Sequence, residues 1–401
     1  MNVLIFNCGS SSQGFKVYQV NGDGQSVLLA GGKARNVATR TRAEPVLEWK
    51  AGTESGTVPG DLPTHRLAAE KILTLLEEKQ IRVDAIGHRF VHGGPYFDRT
   101  VRIDPASLET LRRCLPFAPI HNPNSFSVIE VCLERLPDAL QLAVFDTAFH
   151  AGMPQVSRTY AIPPKLAEEH GFHRYGFHGL SLQCVSRQAA VLLGRPLEEL
   201  KLIVCHLGTG GSSVTAVKGG VSLDTSMGYS PLPGLVMSTR SGDLDPEIVL
   251  ELVRAGRTPE EVSAILNNQS GLLGLSGLSS NLLEIIEAAQ LGNAACQLAF
   301  HVYAHRLRHY LGAFTWQLGG ADAIIFTDDL GMRCWQVREK AFTGVERLGV
   351  ELDPDRNRKA PVNSPARISS DRSRTQVWVI PTDEESEILR EVITMLQPEH
   401  V

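Results

Sequence analysis

The sequence predicts an α/β protein built from two related halves that face one another across a cleft, and three observations carry this reading. A buried strand at Val3 to Phe6 runs into the tight polar loop Asn7-Cys8-Gly9-Ser10-Ser11-Ser12 and returns as an alternating strand over Phe15 to Val20. The pattern recurs about two hundred residues later: strand Leu202 to His206, loop Leu207-Gly208-Thr209-Gly210-Gly211-Ser212, strand Ser213 to Val217. Helical periodicity surrounds both units, as α/β layering requires.

In chain order, Asn21-Gly22-Asp23-Gly24 reads as a turn leading to a strand at Ser26 to Ala30. Apolar residues recur at helical spacing over Leu67 to Glu78, Glu247 to Ala255 and Asn293 to Leu318. Ala323 to Thr327 and Gln376 to Ile380 are apolar strands. The intervening stretch, Pro354 to Arg374, is rich in Arg, Pro and Ser and reads as a solvated loop with an exposed positive face. Neither glycine loop is a P-loop, because no Gly-Lys-Ser/Thr opens a helix behind it.

The chain has 401 residues, enough for roughly two to three domain-sized units. Two lobes are expected, 1–150 and 151–382, with a tail over about 383–401 packing back on the first. A net charge of −5 supplies no basic excess for nucleic acid. The first residues lack the pattern of a signal peptide, and no apolar run of about 18 residues suggests a membrane span. Seven scattered cysteines without a C-x-x-C pair read as buried thiols, so a cytoplasmic location is expected.

Polar clusters sit where apolar strands end, the usual ligand position in α/β proteins. They include Arg89 in His88 to Gly94, His121 between Pro119 and Pro123, Asp146 after Leu142 to Phe145, and His178 in Arg174 to Gly179. Asp224 to Gly228, Arg240 in Thr239 to Asp243, and Glu384 and Glu385 after Pro381 complete the set. A lone arginine or histidine of this kind is usually structural. Seven clusters together resemble the parts of a phosphoryl-transfer site, where fixed cations and amide donors face spreading negative charge and carboxylates hold a metal.

The wording and order of these segments resemble the acetate kinase family along nearly the whole chain. The matching blocks are NCGSSS at Asn7, HRFVHGG at His88, PFAPIHNP at Pro116, VFDTAFH at Val144 and RYGFHG at Arg174. HLGTGGS at His206, DTSMGYSPLPGLVMSTRSGDLDP at Asp224, SGLLGLSG at Ser270 and VIPTDEE at Val379 follow. The resemblance implies an actin-like (ribonuclease H-like) fold of two lobes, a homodimer, and magnesium (manganese as an alternative) with ATP/ADP and acetate or another short-chain carboxylate as substrates.

By motif, Arg89 and Arg240 would grip the phosphoryl group and the acid's carboxylate, and His178 would hydrogen-bond the equatorial oxygens with His121 in support. Asp146 and Glu384 would position magnesium and the acceptor, with Asn7 and Glu384 as metal ligands. Val91, Ile120, Phe177 and Pro231 would line the acid's methyl pocket. The nucleotide and its phosphates would meet Ser10, Ser12, His206, Gly208, Thr209, Gly210, Asn281, Asp329 and Gly331. A carboxylate needs no general base, so direct in-line transfer is expected.

The chain departs from the family pattern on the nucleotide side. Gly14 stands where a lysine is usual, with Lys16 two residues on and on the same strand face. Thr209 replaces an asparagine, and Asn281-Leu282-Leu283 replaces an Asp-Phe-Arg-like triplet. Asp328 to Arg333 replaces a glycine-rich turn, and its two carboxylates would repel a polyphosphate unless a metal or Arg333 paired with them. Beside an ATP-dependent kinase, these departures leave two alternatives: the same acceptor chemistry with a donor such as pyrophosphate, or a non-catalytic homologue that binds acyl phosphate.

Overall fold

Strands whose residues are apolar on both faces need a layer of helix on each side, and both sheets of this protein meet that need. The structure, a computed structural model, describes residues 1–22, 24–38 and 44–397, so Asp23 of the expected turn and the end of the expected tail lie outside the described residues. The chain divides into two units, Met1–Ala151 with Asp383–Val401, and Gly152–Thr382.

The first unit carries an eight-stranded sheet: β1 (Asn2–Cys8), β2 (Ser12–Val20), β3 (Ser26–Arg35), β4 (Val46–Ala51), β5 (Glu54–Pro59), β6 (Ala85–Phe90), β7 (Val101–Arg102) and β8 (Leu140–Phe145). Its order is β5-β4-β3-β2-β1-β6-β8-β7. β1 to β5 form an antiparallel meander, with Phe6 opposite Phe15, whereas β6 and β8 lie parallel to β1. Leu4, Phe6 and Ile86 pack with Ile72 and Val128 of helices His65–Glu78 and Asn122–Arg135. The opposite face receives the helix Glu384–Leu396. A Cβ on Gly87 would lie 2.8 Å from both Ile388 and Val392, so glycine on β6 lets that helix dock closely.

The second unit repeats the plan with β9 (Lys201–Leu207), β10 (Ser212–Lys218), β11 (Val221–Thr225), β12 (Ala323–Thr327), β13 (Ala366–Arg367) and β14 (Gln376–Val379), ordered β11-β10-β9-β12-β14-β13. Three successive antiparallel strands, against five in the first unit, are again extended by two parallel ones. Ile203, Cys205, Val214, Ile324 and Phe326 pack against the 25-residue helix Ala294–Leu318. Asn293 Oδ1 caps that helix by accepting from the Cys296 N–H at 3.0 Å, and Gly319 ends it at φ 62°. The result is the two-lobed α/β, actin-like fold.

One expectation is overturned. The segment from Pro354 to Arg374 is not simply a solvated loop. It holds the helix Pro354–Arg358 and β13, and it buries Asn357, Ile368 and Ser369. Its arginines are paired, Arg356 with Asp371 and Asp353, Arg358 with Glu339, Arg372 with Glu351. Elements this short show no periodicity in the sequence, and arginine-serine composition masks them.

All seven cysteines are unbridged and buried. Burial pushes the Cys8 and Cys114 thiols up to about 12. Among the described residues no helix is long and apolar enough to cross a membrane.

Candidate functional site

In the first unit the loop between β1 and β2 closes when the Gly9 N–H donates to Ser12 O at 2.8 Å. Ser10 is exposed and Ser12 half-buried. Asn7 at the end of β1, Arg89 near the end of β6 and Asp146 just past β8 stand on adjacent parallel strands, which gathers their side chains. The Asp146 carboxylate, only 1% exposed, accepts from Arg89 Nη2 at 2.6 Å and from Nε at 3.2 Å. Arg89 Nη1 donates to Asn7 Oδ1 at 3.1 Å and lies 3.8 Å from Glu384. Burial disfavours the guanidinium charge, but Asp146 and Glu384 outweigh it and hold the Arg89 pKa above its ordinary value.

Helix Glu384–Leu396 brings two carboxylates to the same place. Asn7 Nδ2 donates to Glu384 and to Glu385, each at 3.0 Å. Lys16 Nζ binds Asp383 at 2.8 Å and lies 3.5 Å from Glu385. A Cβ on Gly14 would meet Glu385 Oε1 at 3.2 Å, so Gly14 and Lys16 do share one face. Lys16 is thus committed to carboxylates of its own unit.

His121 occupies the position before helix Asn122–Arg135, and the prolines around it fix the entry of the chain. Its neighbour Asn122 is a buried staple, accepting from the His92 N–H and donating to the carbonyls of His92 and Cys114. Val91 is buried, whereas Ile120 is 55% exposed.

In the second unit, the Gly208 N–H donates to Gly211 O at 3.1 Å and the Gly211 N–H to Gly208 O at 3.3 Å, closing the loop between β9 and β10. His178 precedes helix Gly179–Leu193 in a left-handed conformation, φ 63°, which is uncommon for a residue with a side chain. Its Nδ1 shares a hydrogen bond with Ser213 Oγ at 2.9 Å, and its ring stacks on His206 at 4.1 Å. His206 Nδ1 is 2.9 Å from Ser181 Oγ and Nε2 is 3.2 Å from Asp328.

Arg240 reaches the same loop. A Cβ on Gly211 would lie 3.2 Å from Arg240 Nη1 and 3.4 Å from His178 Nε2. Only glycine leaves these two groups their places. Arg240 contacts Met237 Sδ at 3.8 Å and forms no carboxylate ion pair among the described residues. Burial alone holds its pKa below the ordinary value. A partly desolvated guanidinium without a counter-charge, beside an imidazole nitrogen, is suited to receive an anion.

Two of the nucleotide-side departures prove to be bonded to each other. Asp329 Oδ1 accepts from the Thr209 N–H and Oδ2 from the Thr209 hydroxyl, both at 3.0 Å, while Asp328 faces His206. The two carboxylates are therefore answered by Thr209 and His206, and not by Arg333, which is exposed at the end of helix Asp328–Arg333. Asn281 caps helix Leu282–Gln290 through the Leu283 N–H and donates to Glu284. Phe177 is buried and Pro231 partly so.

Two contributors escaped the sequence reading. Ser213, which fixes the His178 ring, follows directly on the recognised block ending at Ser212. Arg338 is 1% exposed and donates to the carbonyls of Gly331, Met332 and Asn357 and to Asn357 Oδ1, anchoring helix Asp328–Arg333 from behind. Desolvation pushes it down to about 10. Nothing in the sequence marks it.

Comparisons with known proteins agree with this architecture. The Acetokinase family pattern matches residues 2–390. The acetate kinase of Dictyoglomus thermophilum is 42% identical over 405 residues, covering 99% of this chain and 99% of its own. Among solved structures, acetate kinase from Entamoeba histolytica is 40% identical with a TM-score of 0.88, over 98% of this chain and 99% of that one. A propionate kinase from Francisella tularensis is 36% identical with a TM-score of 0.86, over 97% and 98%. With sequence, fold and residue clusters in agreement, the chain belongs to the acetokinase family of phosphotransferases that use a carboxyl group as acceptor.

Proposed function

We propose that this enzyme reversibly transfers the terminal phosphoryl group of ATP to acetate, giving acetyl phosphate and ADP by direct in-line attack of the carboxylate. The observation that carries the reading is Arg240: a partly desolvated guanidinium with no carboxylate partner among the described residues, held beside His178 Nε2 against the Gly208–Gly211 loop. When the Ser213 hydroxyl donates to Nδ1, Nε2 carries the proton and is a donor. Arg240 and His178 then stabilise the equatorial oxygens of the transferring group, and the loop takes the donor phosphates on the nucleotide-bearing second lobe.

Arg89 is oriented for anion recognition by Asp146. Three of its five N–H groups are engaged by Asp146 and Asn7. The remaining two are offered to the acid's carboxylate or the phosphoryl group, with His121 in support. The apolar residues assigned to the acid's methyl group are Val91 and Ile120 of the first unit and Phe177 and Pro231 of the second.

Glu384, Glu385 and the Asn7 amide fit a magnesium ion. The two carboxylates present hard oxygen donors, and the Asn7 amide N–H groups and the Arg89 guanidinium already hold these like charges together. No cage of three or more His, Cys, Asp or Glu occurs among the described residues, which suits an ion that keeps waters and takes substrate oxygens. Bound there, the ion would offset phosphate charge; Glu384 and Asn7 are the ligands assigned.

A homodimer is supported by helix Pro246–Arg254, which buries none of its residues although Ile248, Leu250 and Val253 are apolar. Buried, unbridged cysteines support a cytoplasmic site of action.

The decisive assay incubates the protein with magnesium, a donor (ATP, GTP or pyrophosphate) and acetate or propionate, trapping acyl phosphate with hydroxylamine. Signal with acetate and ATP is expected. Silence with ATP, whatever the acid, would overturn the reading.

A further inference from the structure

The chain supplies an anion of its own to the loop that faces Arg240. Asp329 is the second residue of the helix after β12, and its carboxylate takes both donors of Thr209, the backbone N–H and the hydroxyl, at 3.0 Å each. Thr209 is at the exposed tip of the loop, and its carbonyl accepts from Ser238 Oγ at 3.0 Å, so the tip is held from two sides. Asp328, the residue before it, holds His206 at the loop's entry. Carboxylate and phosphate oxygens compete for the same N–H and O–H donors. Arg240, against Gly211 at the other end of the loop, has no carboxylate among the described residues.

From this geometry we propose that Asp329 is a specificity-determining residue that lowers affinity for the phosphoryl donor by occupying the Thr209 donors as an internal phosphate mimic. A donor phosphate entering the loop must displace the carboxylate or sit beside its negative charge, so binding is weaker than the bare loop would give. A metal-bound polyphosphate, carrying less net charge, is penalised less than a free one. The inference rests on the loop's assignment to the donor phosphates.

The test is calorimetric titration of inorganic pyrophosphate, with and without magnesium, into the full-length protein and its Asp329→Gly and Asp329→Asn variants. Tightening of about tenfold is expected for glycine, and less for asparagine, which keeps the shape and an acceptor but loses the charge. The gain should be larger without magnesium. Should the glycine variant fail to fold, the asparagine variant decides alone. Unchanged or weaker affinity overturns the proposal, weaker binding meaning that the carboxylate helps hold the donor's metal. Because the titration needs no turnover, a protein silent in the acyl phosphate assay but tightened by the substitution would sink the kinase reading and leave this one standing.

Discussion

Gly9 N–H to Ser12 O in the first half and Gly208 N–H to Gly211 O in the second close the same kind of turn between antiparallel strands. Around the first, every charge has an opposite: Arg89 with Asp146 and Glu384, Lys16 with Asp383 and Glu385. Around the second, carboxylates engage Thr209 and His206 and leave Arg240 to burial alone. Equivalent backbones thus carry opposite electrostatic designs, one with each cation clasped between two carboxylates, the other with a cation in want of an anion. Duplication supplied the frame, and the side chains after each strand divided the work.

Arginine removal breaks the comparison most directly. Arg240→Ala should lower kcat at least about a thousandfold, roughly 4 kcal/mol of transition-state stabilisation. Its Tm should not fall, since no ion pair is lost. Steady-state kinetics and calorimetry on one preparation check both halves. Arg89→Ala should behave differently, costing about 3–5 kcal/mol of stability because it strands the buried Asp146 carboxylate. The double variant Arg89→Met with Asp146→Leu should recover much of that loss in denaturant titrations. An Arg89→Ala protein as stable as the parent would show that the buried Asp146 carboxylate does not depend on this guanidinium.

Acid sharpens the contrast. His88, one residue before Arg89 and fully buried against Gln141, is held down to about 4 by burial, the Gln141 hydrogen bond opposing. An unfolded histidine protonates near its ordinary value of 6.5 while this one stays neutral. Stability is therefore unaffected above about pH 6.5 and falls between there and pH 4, by an amount of order 3 kcal/mol. Unfolding of the His88→Leu variant should lose that part of the pH slope.

The smallest effect concerns space. Gly211→Ala places a methyl 3.2 Å from Arg240 Nη1 and 3.4 Å from His178 Nε2, so both must shift by tenths of an ångström. A tenfold to hundredfold loss of kcat with unaltered folding is expected. The matching Gly9→Ala, whose nearest neighbours are the Ser12 hydroxyl at 3.3 Å and carbonyl at 3.4 Å, should cost less.

The strands that build the frame were legible because apolar runs such as Ile203 to Cys205 and Ala323 to Thr327 face helices on both sides. Pro354 to Arg374 was not, since its order comes from partners such as Glu339 and Glu351 that composition does not reveal. The site divides the same way. Arg240, His178 and Asp146 could be named from their motifs, but the lack of a carboxylate beside Arg240 among the described residues is a property of space. Thr209 and Asp329 each stood out as departures, yet their bond spans 120 positions, and only folding joins them.

The first unit is completed by residues that follow the whole of the second. Helix Glu384–Leu396 covers the face of β6 at Gly87 and delivers both carboxylates to Asn7, 377 positions away for Glu384. During synthesis the emerging first 151 residues must wait with that apolar face uncovered while more than two hundred further residues leave the ribosome. Chaperone dependence should therefore concentrate on the opening segment of the nascent chain, and release of the last helix is the step that ends it.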